Sequence, residues 1–364
     1  MTTYLLAGGG TAGHVNPLLA VADRIRESEP EAAILVLGTA EGLEARLVPD
    51  RGYELITIER LPFPRRPGRA LLRFPARQRA AVDRVRAILR ERNVDVVVGF
   101  GGYASAPAYL AAHREKLPFV VHEANARPGL ANRLGAAFTR FVGVAHESTR
   151  IRNAHVVGMP LRREIEQLDR PSARVEAHTA FGLDPARPVL LVTGGSTGAR
   201  RINATITASA PLIIGAGWQV LHIAGERAEV RDPRLDGYVF LHYCDRMDLA
   251  IAVADLAVSR SGSATVSELT AVGVPAVFVP YPVGNGEQRF NAADVVAAGG
   301  AVIVVDAAFT PSWVAESLVP LLQDRASIAE MAVRSASVGV SDGADRMVEL
   351  VHRALRRQPV TPSA

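Results

Sequence analysis

A glycine-rich turn follows a short apolar segment at two places in this chain. Residues 8–13 come after the apolar residues 4–7, and residues 194–198 come after the apolar residues 189–192. A helical pattern follows each turn, and strand and helix patterns alternate through both halves of the chain. Such βα units build parallel sheets with helices on both faces. The sequence therefore predicts an α/β protein with two doubly wound, Rossmann-like parallel-sheet domains and a cleft between them.

The chain length and the alternation of predicted strands and helices indicate where the domains divide. A chain of 364 residues can hold two ordinary cores. The first βα series ends at residues 158–162, and a helical stretch rich in Arg and Glu follows. We predict a first domain over residues 1–160, a second over residues 161–340, and a C-terminal helix and tail over residues 341–364.

The composition excludes several classes of protein. No apolar run reaches the length of about 20 residues that crosses a bilayer, and the N-terminus lacks the pattern of a secretory leader. The single cysteine, Cys244, excludes an internal disulfide bond, and the nine histidines lack metal-ligand spacing. We expect a soluble or peripheral protein that is made in the cytoplasm and holds no metal.

Basic residues are concentrated in the first half of the chain. Residues 1–162 contain 23 Lys and Arg against 15 Asp and Glu, whereas the remaining residues contain 18 against 22. The excess lies between Arg60 and Arg79, where arginines alternate with Leu and Phe. We predict an irregular excursion over residues 60–75 and a basic helix over residues 76–92. This mixture favours an anionic membrane surface as partner, rather than nucleic acid; the alternative is a solvated loop.

The segment from Arg260 to Glu268 carries the features of a nucleotide site. A helix is predicted to begin at Ser263 or Ala264 and to end near residue 272, before a Gly and a Pro. Its first N–H groups favour a phosphate, and the Glu268 carboxylate can accept hydrogen bonds from a ribose diol. The alternative is a capped helix with Ser263 as N-cap and Glu268 in solvent.

Other motifs support a site at the ends of the predicted strands. His14 lies at the first glycine turn, where a neutral imidazole can take a proton from a hydroxyl or bond a phosphate; the alternative is a histidine that only caps backbone groups. Asn125 follows another strand and offers the donor and acceptor that sugar hydroxyls require. The glycines of the first turn also match a dinucleotide-binding pattern, but Glu41 is the only acid near the end of the second strand.

Taken in order along the chain, these motifs resemble the MurG family of N-acetylglucosaminyltransferases. The resemblance rests on residues 9–14, 101–103, 122–125, 194–199 and 260–268, and on Gln288 with Asn291. It implies a GT-B fold in which the first domain takes a lipid-linked acceptor and the second takes UDP-GlcNAc. The implied reaction is a metal-independent, inverting transfer of GlcNAc to the MurNAc C4 hydroxyl of lipid I, which forms lipid II. No cofactor is implied, and the expected location is the cytoplasmic face of the cell membrane.

The resemblance also implies roles for individual residues. His14 would be the general base or the partner of the leaving group, Glu268 would bond the ribose, and Arg162 would approach the nucleotide. The other implied donor contacts are Thr11, Ala12, Gly13, Asn125, Ser196, Cys244, Ser263, Ala264, Thr265 and Gln288, and the acceptor side would be formed by Gly101, Gly102, Tyr103 and His122.

Two alternatives to this function remain open from the sequence. One is a different UDP-sugar enzyme of the same fold, such as an epimerase or a glycosyltransferase of secondary metabolism. The other is a non-catalytic nucleotide-binding membrane scaffold.

Overall fold

The computed structural model describes residues 1–62, 69–195, 198–283 and 286–357. The chain folds into two compact units. Met1–Arg162 and the chain from Asp342 onward form the first, and Arg163–Ser341 forms the second. Among the described residues, no helix combines the length and the apolar character needed to cross a bilayer.

The first unit is built on a parallel sheet of seven strands with the order β3-β2-β1-β4-β5-β6-β7. The strands are β1 (Thr3–Ala7), β2 (Ala33–Gly38), β3 (Glu54–Thr57), β4 (Val96–Gly99), β5 (Phe119–Glu123), β6 (Val142–Val144) and β7 (Ala154–Val156). Every residue of β1, β4 and β5 is buried, as expected for parallel strands that are covered on both faces.

Helices cover both faces of this sheet. Those that come before the chain passes into the second unit are α1 (Ala12–Ser28), α2 (Glu44–Asp50), α3 (Arg69–Glu91), α4 (Ser105–Arg114) and α5 (Leu130–Ala136). Val85 and Leu89 of α3 pack on one face. The C-terminal helix, Gly343–Leu355, returns to this unit and buries Met347 and Val351 against the other face.

The second unit repeats the architecture with six strands in the order β10-β9-β8-β11-β12-β13. Its strands are β8 (Val189–Thr193), β9 (Gln219–Ile223), β10 (Tyr238–Leu241), β11 (Leu256–Ser259), β12 (Ala276–Phe278) and β13 (Ala301–Ile303). Ile202 and Ile206 pack with Trp218 and Phe309 in its core.

Several helices of the second unit connect one strand of its sheet to the next. They are α6 (Arg163–Glu166), α7 (Arg170–Phe181), α8 (Arg200–Gly215), α9 (Met247–Val253), α10 (Ser263–Val272), α11 (Glu287–Asn291), α12 (Ala293–Ala297), α13 (Pro311–Trp313), α14 (Val319–Gln323) and α15 (Arg325–Ser337), with a 3₁₀ turn at Asp306–Ala308 and a π-helical turn at Val314–Leu318. The C-terminal helix of the first unit is α16.

The predicted pair of doubly wound parallel sheets is confirmed, but one predicted boundary is wrong. The sequence predicts an irregular excursion over residues 60–75, whereas α3 already begins at Arg69 and contains Pro75. Residues 70–74 are mostly strong helix formers, and they outweigh the single hydrogen bond that a proline removes. Phe63, Arg65 and Arg66, which belong to the same predicted segment, lie outside the described residues.

Candidate functional site

Each sheet has one point at which the strand order reverses, which is where ligands bind in open α/β sheets. The reversal lies between β1 and β4 in the first unit and between β8 and β11 in the second. The predicted residues follow these and neighbouring strands at their carboxyl ends: residues 11–14 follow β1, residues 101–103 follow β4, His122 and Asn125 lie at the end of β5, Cys244 follows β10, residues 263–268 follow β11, and Gln288 follows β12. Within each unit, these residues therefore gather at one edge of the sheet.

The first glycine turn leads into α1 and holds the His14 ring. Nδ1 of His14 lies 3.1 Å from the carbonyl oxygen of Gly9 and 3.3 Å from Oγ1 of Thr11. Because a carbonyl oxygen only accepts, Nδ1 carries the proton of the neutral ring and Nε2 keeps its lone pair. The backbone contact anticipated in the alternative is therefore present, and it fixes the tautomer in which Nε2 accepts a proton.

The turn after β4 packs directly against the turn after β1. Gly102 has a φ of +83°, and a Cβ atom there would lie 2.5 Å from the carbonyl oxygen of Gly9. Only glycine allows both this backbone conformation and this close approach. A Cβ atom on Gly101 would lie 3.0 Å from Nε2 of His14. The two turns thus bring Thr11 and His14 beside the β4 turn.

Tyr103, at the end of the β4 turn, contacts the start of the basic segment. The Arg60 guanidinium carbon lies 4.8 Å from the Tyr103 ring centroid, and Nη2 lies 3.5 Å from the phenol oxygen. A cation over the face of an aromatic ring is attracted by the ring quadrupole. This contact fixes the entry of the basic segment next to the predicted site residues.

Glu44 supports the first glycine turn, a role that no pattern in the sequence predicts. Its buried carboxylate accepts hydrogen bonds from the Gly10 N–H at 2.7 Å, the Thr39 N–H at 2.9 Å and the Thr39 hydroxyl at 2.8 Å. Burial by itself raises the pKa of Glu44, but these hydrogen bonds outweigh it and hold the pKa below its usual value. The Glu44 carboxylate therefore binds the protein's own turn, whereas Glu41, the acid that the sequence offers for a dinucleotide ribose, is exposed.

His122 was predicted on the acceptor side, and the structure places it in the interior of the first unit. The ring is fully buried, and Nε2 lies 3.1 Å from the carbonyl oxygen of Gly158. Burial lowers the pKa of His122 to about 4. The ring is therefore neutral near pH 7, and its hydrogen bond fastens the end of β5 to the segment that leaves the first unit.

A buried carboxylate also shapes the loop that carries Asn125. Glu123 accepts hydrogen bonds from the N–H groups of Asn125 at 2.8 Å and Gly129 at 2.9 Å, and from the Asn132 side-chain amide at 2.9 Å. Tyr109 in turn donates to the Asn132 carbonyl oxygen at 2.8 Å. Asn125, whose N–H belongs to this network, is itself partly exposed. The sequence signal was present in the motif of residues 122–125, but only the fold reveals the contribution of Asn132.

Helix α10 begins and ends where the sequence predicts. It begins at Ser263 after Gly262 in the N-cap position, and it ends before Gly273 in a left-handed conformation. Ser263 is already the first residue of the helix, so the predicted alternative with Ser263 as N-cap is wrong. Gly262, which takes that position, has no side chain with which to bond the first N–H groups. Ala264, Thr265 and Glu268 are partly exposed, and their spacing of three and four residues places them on one face. A phosphate and a diol can therefore be bound side by side on this face.

The second glycine turn precedes α8 and is also closely packed. Gly198 has a φ of +76°, and a Cβ atom there would lie 2.4 Å from the carbonyl oxygen of Ala224. Asn203 donates to that same oxygen at 2.8 Å, and its own side-chain oxygen lies 3.1 Å from Nε2 of the buried His222. The turn thus rests on a buried polar network. Ser196, which the resemblance assigns to the diphosphate, lies outside the described residues.

Gln288 is held in a defined orientation at the start of α11. Its side-chain oxygen accepts the Tyr281 N–H at 2.9 Å. The amide group therefore keeps its two N–H donors for other partners. This arrangement suits a donor to a hydroxyl or carbonyl oxygen of a ligand.

Two further predicted residues are placed without a defined ligand contact. Cys244 is buried, and burial raises the pKa of its thiol. Arg162 is partly exposed and is the last residue of the first unit before the crossing. No three His, Cys, Asp or Glu side chains within the described ranges lie together as a metal site.

Comparison with known proteins gives one consistent result. Residues 4–144 match the model for the glycosyltransferase family 28 N-terminal domain, and residues 189–347 match that for the family 28 C-terminal domain. A relative from Leifsonia xyli subsp. xyli is 65% identical over 98% of this chain and 99% of its own length. A relative from Clavibacter sepedonicus is 60% identical over 100% of this chain and 99% of its own length.

Both relatives are named UDP-N-acetylglucosamine--N-acetylmuramyl-(pentapeptide) pyrophosphoryl-undecaprenol N-acetylglucosamine transferase. Among solved structures, MurG from Acinetobacter baumannii matches with a TM-score of 0.79 and 26% identity, covering 97% of this chain and 100% of its own. The predicted GT-B fold class is confirmed by this likeness. The two matched domains and the full-length relatives show that the chain is a glycosyltransferase of family 28 and belongs to the MurG family of N-acetylglucosaminyltransferases.

Proposed function

We propose that this enzyme transfers GlcNAc from UDP-GlcNAc to the MurNAc C4 hydroxyl of lipid I and so forms lipid II. The names of the full-length relatives supply the donor and the acceptor. The structural observation that carries the proposal is the exposed face of α10, where a helix N-terminus and Glu268 offer a diphosphate and a ribose their complementary groups.

The second unit binds the donor in this proposal. The first N–H groups of α8 and α10 bond the diphosphate, together with Ser196, Ser263, Ala264 and Thr265. Glu268 accepts from the ribose hydroxyls, and the backbone beside Cys244 reads the uracil edge. The amide N–H groups of Gln288 donate to GlcNAc oxygens, as their orientation allows.

The first unit binds the acceptor and supplies the base. As the acceptor oxygen attacks C1 of GlcNAc, its proton passes to Nε2 of His14, and the bond from C1 to the phosphate oxygen breaks with inversion. The Gly9 carbonyl oxygen stabilises the imidazolium that forms, because it accepts from Nδ1. Thr11, Ala12 and Gly13 contact the phosphates of the donor. Asn125 bonds GlcNAc hydroxyls, and Arg162 approaches the nucleotide. Gly101, Gly102 and Tyr103 border the acceptor, whereas His122 is fully buried and does not contact it.

The leaving group is UDP, and its charge must be stabilised as the bond breaks. We assign this task to the N–H groups at the helix N-termini, which are already oriented and need no rearrangement. The proposal therefore requires neither a metal nor a cofactor, and it predicts transfer in the presence of EDTA.

We further propose that the enzyme acts at the cytoplasmic face of the cell membrane, bound through the segment from Arg60 to Arg79. In the described part of this segment, Arg73, Arg77 and Arg79 are exposed, and the Leu72 side chain is 82% exposed. Exposed arginines next to an exposed leucine suit an anionic lipid surface.

The test incubates the enzyme with UDP-GlcNAc and a detergent-dispersed lipid I analogue and identifies the products by mass spectrometry. The proposal predicts a lipid product that carries one additional N-acetylhexosamine, together with free UDP. An epimerase would instead change UDP-GlcNAc without the lipid, and a scaffold would leave both substrates unchanged; either result contradicts the proposal.

A further inference from the structure

The Asp306 carboxylate lies between arginines from two different turns of the second unit. Its Oδ1 is 2.5 Å from Nη1 of Arg260, which directly follows β11. Its Oδ2 is 3.8 Å from Nε of Arg201, the second residue of α8. Asp306 itself follows β13 in the 3₁₀ turn. One carboxylate thus connects the first turn of α8 to the segment in front of α10. These are the two helices whose N-termini face the donor in the proposed function.

The Arg260 guanidinium also binds the end of β12. Its Nη1 donates to the carbonyl oxygens of Val279 at 2.9 Å and Pro280 at 3.2 Å, and its carbon lies 5.6 Å from the centroid of the Tyr281 ring. The Arg260 and Asp306 side chains are only 12% and 14% exposed. Ion pairs that are withdrawn from water are screened less than exposed ones and demand a defined geometry. This pair is therefore suited to fixing the backbone around it.

The segment that Arg260 holds continues into a predicted donor contact. Tyr281, next to Pro280, gives its N–H to the Gln288 side chain at 2.9 Å. A second connection runs from the Asn291 amide to the Ser261 carbonyl oxygen at 3.3 Å. Two connections therefore link the turn before α10 to the segment that presents Gln288. The connection through Arg260 includes a largely buried ion pair with Asp306, whereas the other is a hydrogen bond between uncharged groups.

We propose that Asp306 is a positioning residue of the donor site. It acts through Arg260, and more weakly through Arg201, to keep the N–H groups of α10, the N–H groups of α8 and the Gln288 amide in register with one bound nucleotide sugar. Nothing in the local sequence around residue 306 indicates this role, because Asp306 lies 46 residues from Arg260 along the chain. The inference rests on the proposed function for the identity of the nucleotide.

The test compares Asp306→Asn with a matched control, Asp324→Asn. Asp324 belongs to the same unit, is exposed, and uses its carboxylate to cap α15 through Ser327. We would measure UDP affinity by calorimetry well below the melting temperature, and KM and kcat for UDP-GlcNAc with the lipid I analogue. Asp306→Asn should weaken UDP binding at least fivefold and raise KM, whereas Asp324→Asn should change neither.

A merely structural role would give a different result. The variant would then melt at a lower temperature while each folded molecule bound UDP as tightly as the wild type, and that outcome would overturn the inference.

If Asp306→Asn fails to fold, Arg260→Lys serves as the second variant, since lysine keeps the charge but loses the contact with the carbonyl oxygens. It should weaken UDP binding to a similar extent, and unchanged binding would also overturn the inference. If wild-type enzyme binds UDP but transfers nothing to lipid, the proposed function fails while the UDP comparison still tests Asp306.

Discussion

The Glu44 carboxylate accepts the Gly10 N–H at 2.7 Å and thereby supports the turn that holds His14. Glu44→Gln keeps the size of the side chain but places an amide N–H₂ against donors that need an acceptor. An unsatisfied buried group costs about 1–3 kcal/mol, so we expect the free energy of unfolding to fall by about that amount. Urea denaturation of both proteins at pH 7 measures the difference, and equal midpoints would refute the role of Glu44.

The stability difference between wild type and Glu44→Gln should also depend on pH. The pKa of Glu44 is lowered in the folded protein, so the unfolded chain takes up this proton first as the pH falls. The contribution of Glu44 is complete above the unfolded pKa of about 4.3 and is lost as the pH falls through the lower folded pKa. Denaturation at a series of pH values should show a constant difference from pH 8 to 5 that shrinks below pH 4.5; a difference that persists there would contradict the assignment.

Removal of the proposed base should affect chemistry more than binding. His14→Ala deletes the Nε2 acceptor, and general base catalysis contributes about 10²- to 10⁴-fold to the rate. We therefore expect kcat to fall within that range while UDP affinity stays within about twofold. His113→Ala is the control, because His113 is an exposed residue of α4 whose ring lies against Phe138. A His14→Ala enzyme that retains most of its kcat would exclude His14 as the base.

Gln288 allows a test of donor geometry, because its oxygen accepts the Tyr281 N–H, whereas its N–H₂ group is proposed to donate to the sugar. Gln288→Glu keeps the acceptor for the Tyr281 N–H but loses the donor and adds a negative charge near the nucleotide. We expect KM for UDP-GlcNAc to rise about tenfold, with little change in melting temperature. Gln288→Met, which loses both functions, should raise KM and also lower the melting temperature. Equal KM values for Gln288→Glu and wild type would show that the amide does not donate to the sugar.

Binding to anionic lipid should depend on the position of the arginines as well as on total charge. Arg66, Arg69 and Arg73 lie in the predicted membrane segment, and each arginine near an anionic surface contributes about 1 kcal/mol. Their joint replacement by Ser should lower the partition constant onto phosphatidylserine-containing liposomes about 10²-fold. The matched control replaces Arg227, Arg231 and Arg234, which are exposed in the second unit. Sedimentation that falls equally in both variants would indicate a nonspecific charge effect.

Local patterns in the sequence predict the elements of the fold well. The glycines at 262 and 273 define α10, and the apolar runs define the strands, because these signals lie within a few residues of the element they specify. The start of α3 was wrong because Pro75 is normally a boundary signal, yet here it is accommodated within a helix. The position of α16 could not be predicted, since an amphipathic helix does not reveal which core it covers.

The supporting residues of the site were beyond the reach of sequence patterns. Glu44 and Asp306 act through partners that are 34 and 46 residues away along the chain, so no spacing rule connects them. His122 was recognised by its motif, but its burial against Gly158 depends on the sheet. The predicted site residues follow strand ends and can be identified from motifs, whereas the residues that hold them are defined only by tertiary contacts.

The most direct test of the proposed reaction follows label from UDP-GlcNAc into lipid in the presence of EDTA, with wild-type enzyme and Glu268→Gln side by side. We expect transfer by the wild type, and a large loss of both transfer and UDP affinity in the variant, because an amide replaces the carboxylate that is proposed to accept from the ribose. Wild-type transfer that requires added Mg²⁺ would contradict the role of the helix N-termini. Equal transfer by both proteins would contradict the placement of the nucleotide on α10.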